Sequence, residues 1–329
     1  MDLNYILQQA QKAPLTHRLN AAKEALQQCL LAALAQQGLL ADVAFIGGTA
    51  LRILHRLPRY SEDMDFVWMG EPPSVKQLEA WPTTIRRSLT KIGVTPHLST
   101  SGPTPVDARV TKQSFTLYLS ATSPAFAPFA RSGVQISFEI DLNPPENTAQ
   151  ESRTLVVANS QVTVPTLTLP SLMAGKLHIL LTRRDREKGR DWYDYLWYRR
   201  SDVLPNVLQL QSAIAQTSDG PEARFWMSHL RARMKAVHWE NIRHDVRPFL
   251  EYPEETAQLN ESALGNLTPY PAFKEIVSEL HALKTSHPFI ARTENEAVIT
   301  DVNQAALEGD VDAIEAQGIF ADLQSKPGE

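Results

Sequence analysis

The fold is decided by residues 45–68, which read FIGGTALRILHRLPRYSEDMDFVW. An apolar run from Val43 to Ile46 predicts a short buried strand, and it leads directly into Gly47 and Gly48. Glycines allow positive φ angles and a close approach by a backbone or a phosphate, because they have no Cβ atom. The sequence therefore predicts a strand, a tight glycine bend and then a helix.

The helix after the bend is expected to open at Thr49, with leucines on one side and basic residues around the rest. Pro58 should end it, since proline cannot extend the hydrogen-bond ladder and restricts the residue before it. An acidic strand follows. Asp63 and Asp65 are separated by one apolar residue, so the period of two places both carboxylates on one face.

Two carboxylates this close repel each other unless a cation lies between them. Magnesium is the natural candidate, because it prefers carboxylate and phosphate oxygens. The glycine bend and the start of the helix offer N–H groups to phosphates, and a metal held by Asp63 and Asp65 can bridge a phosphate and an attacking hydroxyl. Together these elements predict a nucleoside triphosphate site. Either element alone is more typical of an ordinary glycine-rich turn or an exposed acidic strand end.

This stretch resembles the signature of a known family. Gly47 to Leu51 (GGTAL), followed by Arg59 to Phe66 (RYSEDMDF), is similar to the motif of the AbiEii/AbiGii-type nucleotidyltransferases. These are toxins of abortive-infection toxin–antitoxin systems within the polymerase-beta-like nucleotidyltransferase superfamily. The resemblance implies an α/β (α+β) fold with a mixed sheet, followed by a helical C-terminal domain. It also implies an enzyme that requires an NTP and Mg²⁺ (or Mn²⁺).

Composition limits the class of protein. At 329 residues, with 43% hydrophobic and 21% charged residues, the chain suits a soluble globular protein of one large or two ordinary domains. No apolar run approaches the roughly 18 residues that span a membrane, and the amino terminus lacks a signal-peptide pattern. The single cysteine, Cys29, is expected to be a buried small hydrophobe. We therefore expect a cytoplasmic protein without a membrane partner.

Charge is unevenly distributed along the chain. The net charge of −5 argues against a general nucleic-acid binder, but residues 294–329 contain nine acidic residues and one lysine. That segment carries −8, which leaves +3 on residues 1–293. A mildly basic body with an acidic, helical tail is compatible with a nucleic-acid substrate.

The pattern of strands and helices predicts three segments. Residues 2–37 have helical periodicity, and residues 94–164 are rich in strands, including a pair of strands around Asn159 and Ser160. Helices dominate the sequence after that. The predicted segments are a catalytic domain with N-terminal helices (1–165), a helical domain that completes the active site (166–290) and an acidic tail (291–329).

A second acidic strand is predicted over residues 134–142 (VQISFEIDL). Glu139 and Asp141 share one face of it, because they are two residues apart. A polymerase-beta-like site requires a third carboxylate, since two Mg²⁺ ions carry more charge than two aspartates balance. We predict Glu139 for this role, with Asp141 as the reserve. The alternative is a solvent-exposed strand face opposite the apolar one.

A second informative stretch, residues 168–200, combines an apolar helix, a basic loop and another helix. Lys176 lies within the apolar helix, where a lysine either extends its ammonium to solvent or neutralises an anion. The second helix starts at Arg190 and Asp191, with Asp194 one turn further on. Taken alone, these charges are typical of a helix N-terminus, where the macrodipole favours acidic residues.

The order of lysine, basic loop and Arg-Asp-x-x-Asp-aromatic-Leu resembles the downstream motif of the same family. The resemblance implies that Lys176 lies near the triphosphate and that Asp191 is essential. Lys176 is expected to stabilise charge on the phosphates in the transition state. Asp191 either orients an arginine or accepts a hydrogen bond from the incoming hydroxyl.

The expected reaction is nucleotidyl transfer from an NTP to an acceptor hydroxyl, and the resemblance implies a tRNA 3′ end as acceptor and a cognate antitoxin as partner. Two alternatives stay open: transfer of a nucleotide or phosphate to a protein side chain, and a non-catalytic module that senses nucleotide. The predicted site residues share acidic, basic or phosphate-binding chemistry. They are Asp63, Asp65, Lys176 and Asp191 for catalysis; Gly47, Gly48, Thr49, Ser61 and Lys176 for nucleotide; Asp63, Asp65 and Glu139 for metal; and Arg183, Arg184, Arg186, Lys188 and Arg190 for RNA.

Overall fold

A computed structural model describes residues 2–101, 112–120, 122–123, 126–127, 133–184, 186–217 and 226–266. The chain divides into two compact units. Among the described residues, the first unit comprises 2–172 together with Arg247–Glu254, and the second comprises Met173–Val246 together with 255–266. The predicted domain limits stay a prediction, and the predicted acidic, helical tail lies outside the described residues.

The predicted N-terminal helix is two helices, α1 (Leu3–Lys12) and α2 (Arg18–Gln36), joined by a short 3₁₀ turn. The break occurs at Pro14, because a proline pushes the residue before it out of the helical region. Ala13 accordingly has extended angles, φ −79° and ψ 152°. Cys29 is buried on α2, as predicted.

Within the described residues, seven strands form one mixed sheet in the first unit, in the order β3-β4-β5-β2-β1-β7-β6. The pairs β1–β7 and β2–β5 are parallel and the other neighbours are antiparallel. The predicted mixed sheet is therefore confirmed. The strands are β1 (Val43–Ile46), β2 (Met64–Trp68), β3 (His97–Ser101), β4 (Lys112–Leu119), β5 (Val134–Asp141), β6 (Gln150–Val157) and β7 (Ser160–Leu167).

One face of the central strands forms the hydrophobic core. Phe66 of β2 packs between Phe45 of β1 and Trp81, with ring centroids 5.0 Å and 4.7 Å away. Trp81 belongs to α4 (Val75–Thr90), whose first residue follows a capping box at Ser74. Because side chains alternate across a strand, the residues between the buried ones, including the acidic ones, lie on the opposite and less buried face.

The hairpin between β6 and β7 confirms the predicted pair of strands. Its two turn residues, Ala158 and Asn159, have φ angles of 47° and 67°, as the two-residue turns that match the twist of a hairpin require. Strand β7 returns to the centre of the sheet beside β1, where the Thr166 hydroxyl donates to the Phe45 carbonyl at 2.6 Å. This pairing supports the strand that leads into the glycine bend.

The second unit is helical, as predicted for the chain after the sheet. Helix α6 packs against α9 at Gly189, where an added Cβ atom would overlap backbone atoms of Ile242 and Val246. No helix among the described residues is both long enough and apolar enough to cross a membrane. The helices after the sheet are α5 (Leu169–Thr182), α6 (Gly189–Arg200), α7 (Val207–Ala215), α8 (Trp226–Ala236), α9 (Trp239–Val246) and α10 (Glu261–Asn266).

Candidate active site

The glycine bend brings Asp65 against the start of helix α3 (Gly47–His55). Gly47 has a φ angle of 76°, a conformation that side chains with a Cβ atom rarely adopt. A Cβ atom built there would overlap the Asp65 carboxylate and lie 3.2 Å from Asp65 Cβ. Ile46 and Asp65 are partners in the antiparallel pairing of β1 and β2. Glycine is therefore required at position 47 both for the backbone angle and for the close approach of Asp65.

Gly48 makes a similar close approach to the loop before β2. A Cβ atom built on Gly48 would lie 3.0 Å from Ser61 Oγ and 3.2 Å from Arg59 Cζ. The bend thus has Asp65 beside its first glycine, and the Ser61 hydroxyl and the Arg59 guanidinium beside its second. The glycine bend and the acidic motif are therefore in direct contact.

Helix α3 begins at Gly47, two residues earlier than predicted, so Thr49 lies inside its first turn. The Thr49 side chain is buried, and its hydroxyl donates to the Asp63 carbonyl. Its observed contact therefore supports the backbone of the acidic motif. The helix also ends before Pro58 acts, because Arg56 adopts a left-handed conformation with φ 62°.

Strand register distinguishes between the two candidates for the third carboxylate. Asp65 and Glu139 are partners in the parallel pairing of β2 and β5, whereas Asp141 pairs with Val67. Partners on neighbouring strands lie about 4.8 Å apart and project to the same face. Asp141 also accepts a hydrogen bond at 3.0 Å from the backbone N–H of Asn143, which gives its carboxylate a local role in the following turn.

Asp63 lies one residue before β2, which begins at Met64. The alternation of side chains along β2 therefore sets the direction of the Asp65 side chain but not that of the Asp63 side chain. In the part of the chain that the structure describes, no three His, Cys, Asp or Glu side chains come together as a ready-made metal site. Magnesium sites commonly use one or two carboxylates and complete their coordination with water and substrate phosphates. The hard oxygens of Asp63, Asp65 and Glu139 fit that requirement.

The second unit brings the predicted lysine and aspartate together. Lys176 Nζ of α5 lies 2.7 Å from Asp191 Oδ1 and 2.9 Å from Asp194 Oδ2 of α6. Arg183 Nη2 lies 3.2 Å from Asp191 Oδ2. Asp191 is 6% exposed and Asp194 is fully buried at 0%. Two cations and two carboxylates thus form a compact ionic cluster. From the sequence, Asp191 and Asp194 are also typical of acidic residues at a helix N-terminus, whereas the family motif favours a functional role for Asp191.

The basic loop between α5 and α6 is held by side chains from later helices. The Arg183 carbonyl accepts a hydrogen bond from Arg233 at 2.8 Å, and Arg186 pairs with Asp245. Arg183 and Arg190 are half-buried, while the other predicted RNA-binding cations of this loop are exposed. The exposed cations are Arg184, Arg186 and Lys188.

Three residues of these surroundings were not predicted as functional. Arg59 is buried against Gly48, and the signal for it was its place as the first residue of the RYSEDMDF motif. Asp194 is the second partner of Lys176, which its spacing from Asp191 on the helix indicated in part. Gln27 of α2 contacts the loop before β2, and no local pattern distinguishes it from other helical glutamines.

A family model described as nucleotidyl transferase AbiEii toxin, type IV TA system, matches residues 29–279. The chain belongs to the AbiEii nucleotidyltransferase toxin family. The resemblance seen in the sequence is thereby confirmed, and every predicted AbiEii site residue lies within the matched range. Gln27 lies outside it.

Solved structures add two similarities to the AbiEii match. A proposed nucleotidyltransferase from H. pylori has a TM-score of 0.45 and 16% identity, over 74% of this chain and 93% of that one. JHP933 from Helicobacter pylori has a TM-score of 0.43 and 14% identity, over 80% of this chain and 97% of that one. Among curated proteins, none matches this sequence significantly.

Proposed function

We propose that this AbiEii-family protein transfers a nucleoside monophosphate from an NTP to an acceptor hydroxyl, with the 3′ end of a tRNA as acceptor. The observation that carries the proposal is the approach of the Asp65 carboxylate to Gly47, with Glu139 as its neighbour on the adjacent strand. Carboxylates beside a phosphate-binding bend are the arrangement that metal-dependent phosphoryl transfer uses. Blocking tRNA ends would inhibit translation, which accords with a toxin.

The first unit provides the groups for the reacting phosphate in this proposal. Asp63, Asp65 and Glu139 would hold Mg²⁺ (or Mn²⁺), which when bound would offset the negative charge of the phosphates. The backbone N–H groups of the glycine bend and the Ser61 hydroxyl bind phosphate oxygens. The acceptor oxygen forms a bond to the α-phosphorus as the bond to the β-phosphate oxygen breaks. Pyrophosphate leaves, and the hydroxyl proton passes to solvent.

The second unit provides positive charge in this proposal. Lys176 stabilises the triphosphate as charge develops. Asp191, which contacts both Lys176 and Arg183, orients these cations; this is one of the two roles that the sequence left open for it. In this proposal the helical segment 166–290 completes the active site; this remains a prediction from the downstream motif.

The exposed cations of the loop between α5 and α6 are the proposed contacts to tRNA. Arg184, Arg186 and Lys188 carry charge into solvent, and contacts between such cations and phosphates supply binding that is independent of base sequence. Affinity for tRNA should therefore fall as salt rises, with a slope set by the number of phosphates contacted. The cytoplasm is the expected compartment and a cognate antitoxin the expected partner, because the family belongs to toxin–antitoxin systems.

A labelling experiment tests this function. The purified protein is incubated with Mg²⁺, total tRNA and each of the four NTPs labelled at the α-phosphate in turn. We expect label in tRNA with at least one NTP, and none after EDTA or with Asp65→Asn. Label on protein instead of RNA would establish the side-chain alternative, and tight NTP binding without transfer would establish the sensing alternative. Absence of transfer and of binding would refute the proposal.

A further inference from the structure

The loop between α3 and β2, residues 56–63 (the site loop), carries Ser61 and Asp63 but belongs to neither element. An irregular segment cannot satisfy its own backbone carbonyls through a regular ladder, so the partners of those carbonyls must come from elsewhere. In this protein Arg59 binds the Leu57 and Tyr60 carbonyls from within the loop, and the other observed partners come from side chains of α2 and α3 and from a distant part of the chain. How the site loop is held therefore decides where Ser61 and Asp63 lie.

Gln27 binds the centre of the site loop. It lies on α2 and is 1% exposed. Its Nε2 donates to the Ser61 carbonyl at 3.3 Å and to the Glu62 carbonyl at 3.0 Å. Thr49 donates to the next carbonyl, that of Asp63. Three consecutive carbonyls, those of Ser61, Glu62 and Asp63, are thus bound by two buried side chains.

A segment from far along the chain binds the first half of the site loop. Residues 247–254 (the strap) follow the helices of the second unit but belong to the first unit. Leu250 and Arg59 form an antiparallel bridge. The backbone N–H of Tyr60 donates to the Phe249 carbonyl at 2.8 Å, and that of Glu251 donates to the Pro58 carbonyl at 3.2 Å. The strap therefore acts as a short partner strand for the loop.

Arg52 of α3 joins the strap, the site loop and α2. Its Nη2 lies 2.6 Å from Glu251 Oε1, and its Nε lies 2.6 Å from Glu24 Oε2. Its Nη1 donates to the Leu57 carbonyl at 3.0 Å, and the guanidinium lies 4.5 Å from the centre of the Tyr60 ring. Burial raises the pKa of Glu24, and the attraction of Arg52 acts against that rise. Glu24 and Glu251 both pair with Arg52, so removing either carboxylate weakens the attachment of the strap to α2 and α3.

We propose that Gln27 and the strap are positioning elements for nucleotidyl transfer, which hold the site loop so that Ser61 and Asp63 meet the substrate in one geometry. This inference rests on the proposed function. Its physical basis is the steep dependence of catalysis on placement, since a displacement of about 1 Å can cost about 100-fold in rate. Gln27 lies outside the residues that the family model matches, so membership of the family does not assign it this role.

The experiment compares the wild type with Gln27→Leu. Leucine has a similar size but lacks the Nε2 amide that donates to the two loop carbonyls. We expect kcat to fall by about 10-fold or more while the KM for the NTP changes by less than about 3-fold. Amide hydrogen exchange in residues 60–63 should quicken by about 10-fold, since the loop opens locally. Glu251→Ala should also lower kcat and quicken amide exchange in the loop, but by smaller factors. Glu251→Gln can still accept a hydrogen bond from Arg52, so its kcat should be close to that of the wild type.

The matched control is Leu89→Ala, which truncates a fully buried side chain of α4 in the same unit. It should lower the melting temperature and leave kcat per folded molecule unchanged. The inference is overturned if Gln27→Leu lowers kcat no more than this control, or if exchange in the loop does not change. If Gln27→Leu does not fold, the comparison of Glu251→Ala with Glu251→Gln tests the inference, which is overturned if the two variants have the same kcat.

The outcome also separates this inference from the proposed function. If the wild type transfers label and the Gln27 and Glu251 variants transfer it at the same rate, the inference is refuted and the proposed function stands. If the wild type transfers no label but binds NTP with Mg²⁺, the proposed transfer reaction is refuted, and the inference is then tested by whether amide exchange in residues 60–63 quickens by about 10-fold in Gln27→Leu. Absence of both transfer and binding in the wild type would refute both.

Discussion

The two units of this protein treat their carboxylates in opposite ways. In the first unit, Asp65 and Glu139 lie half-buried on the polar face of the sheet, beside a glycine bend. In the second unit, Asp191 and Asp194 are buried and lie within 3 Å of Lys176 Nζ. The first pair of carboxylates is thus partly exposed, while the second pair is buried against a lysine.

The difference follows from the cost of burying charge. A carboxylate removed from water loses several kcal/mol of solvation, so it must be paired within the fold. A half-buried carboxylate keeps part of its hydration, which a metal ion with its phosphate ligands can replace. We therefore expect changes to Asp65 and Glu139 to act mainly on catalysis, whereas changes to the buried cluster around Lys176 should lower stability in addition to transfer.

The largest expected effect is on catalysis in the first unit. Asp65→Asn keeps the size of the side chain but removes the charge that a metal requires, and metal stabilisation of the transition state is worth several kcal/mol. We expect transfer to tRNA to fall by about 10³-fold or more, with a change in unfolding free energy below about 1 kcal/mol. Initial rates of label transfer and urea unfolding measure the two quantities.

Asp141→Asn is the matched control, because Asp141 lies two residues beyond Glu139 on the same face of β5 but pairs with Val67. It should retain transfer activity, whereas Glu139→Gln should lose most of it. If the Asp141 variant lost activity and the Glu139 variant kept it, Asp141 would be the third carboxylate.

The next effect is on stability in the second unit. Lys176→Met removes the ammonium between two buried carboxylates, and breaking a buried ion pair costs about 3–5 kcal/mol. Urea unfolding should show a loss of that order. The double variant Lys176→Met/Asp194→Leu should be more stable than Lys176→Met, since it also removes one of the two buried carboxylates that lose their lysine. A loss below about 1 kcal/mol in the single variant would mean that the cluster behaves like a surface ion pair.

A smaller effect separates backbone strain from the position of Asp65. Gly47 and Gly38 have φ angles of 76° and 71°, but only at Gly47 would a Cβ atom meet a neighbour. Each Gly→Ala change should cost about 1–2 kcal/mol because of the left-handed backbone. Gly47→Ala must also displace Asp65, so transfer should fall in that variant and stay normal in Gly38→Ala. Equal activity in both variants would show that the approach of Asp65 to the bend is not needed.

The smallest effect is a pH dependence of stability in the helix that the bend begins. Burial, together with the charge of Arg153, lowers the pKa of His55 to about 4, below the value of about 6.5 for an exposed histidine. The unfolded chain therefore takes up a proton as pH falls through about 6.5, while the folded protein stays neutral until about pH 4. The stability is complete above the unfolded pKa and declines between these values by at most about 1.4 kcal/mol per pH unit.

His55→Gln removes this titrating group. Its unfolding free energy should therefore change less than that of the wild type between about pH 7 and pH 5. Denaturant unfolding at the two pH values measures the difference. Parallel pH dependences in the two proteins would show that His55 gains access to solvent.

Local patterns predicted several elements of the first unit. The run before Gly47, the alternation in residues 134–141 and the turn at Asn159 each depend on neighbours within a few residues, and these elements appear in the structure. Residues 2–37 were predicted as helix from helical periodicity alone, without a break at Pro14. There the backbone restriction imposed by proline outweighed periodicity.

Tertiary structure alone decided which distant residues meet. Both Glu139 and Asp141 satisfy the same period of two, and only the register of β2 on β5 places Glu139 beside Asp65. Nothing near Gln27 or Glu251 in the sequence indicates the site loop, whose Ser61 lies 34 residues from Gln27 and whose Pro58 binds the backbone of Glu251 from much farther along the chain. By itself the sequence determined the family, the strand–bend–helix unit and its acidic motif, because these depend on short-range sterics. The partners of those residues depend on packing across the whole unit, which no local period encodes.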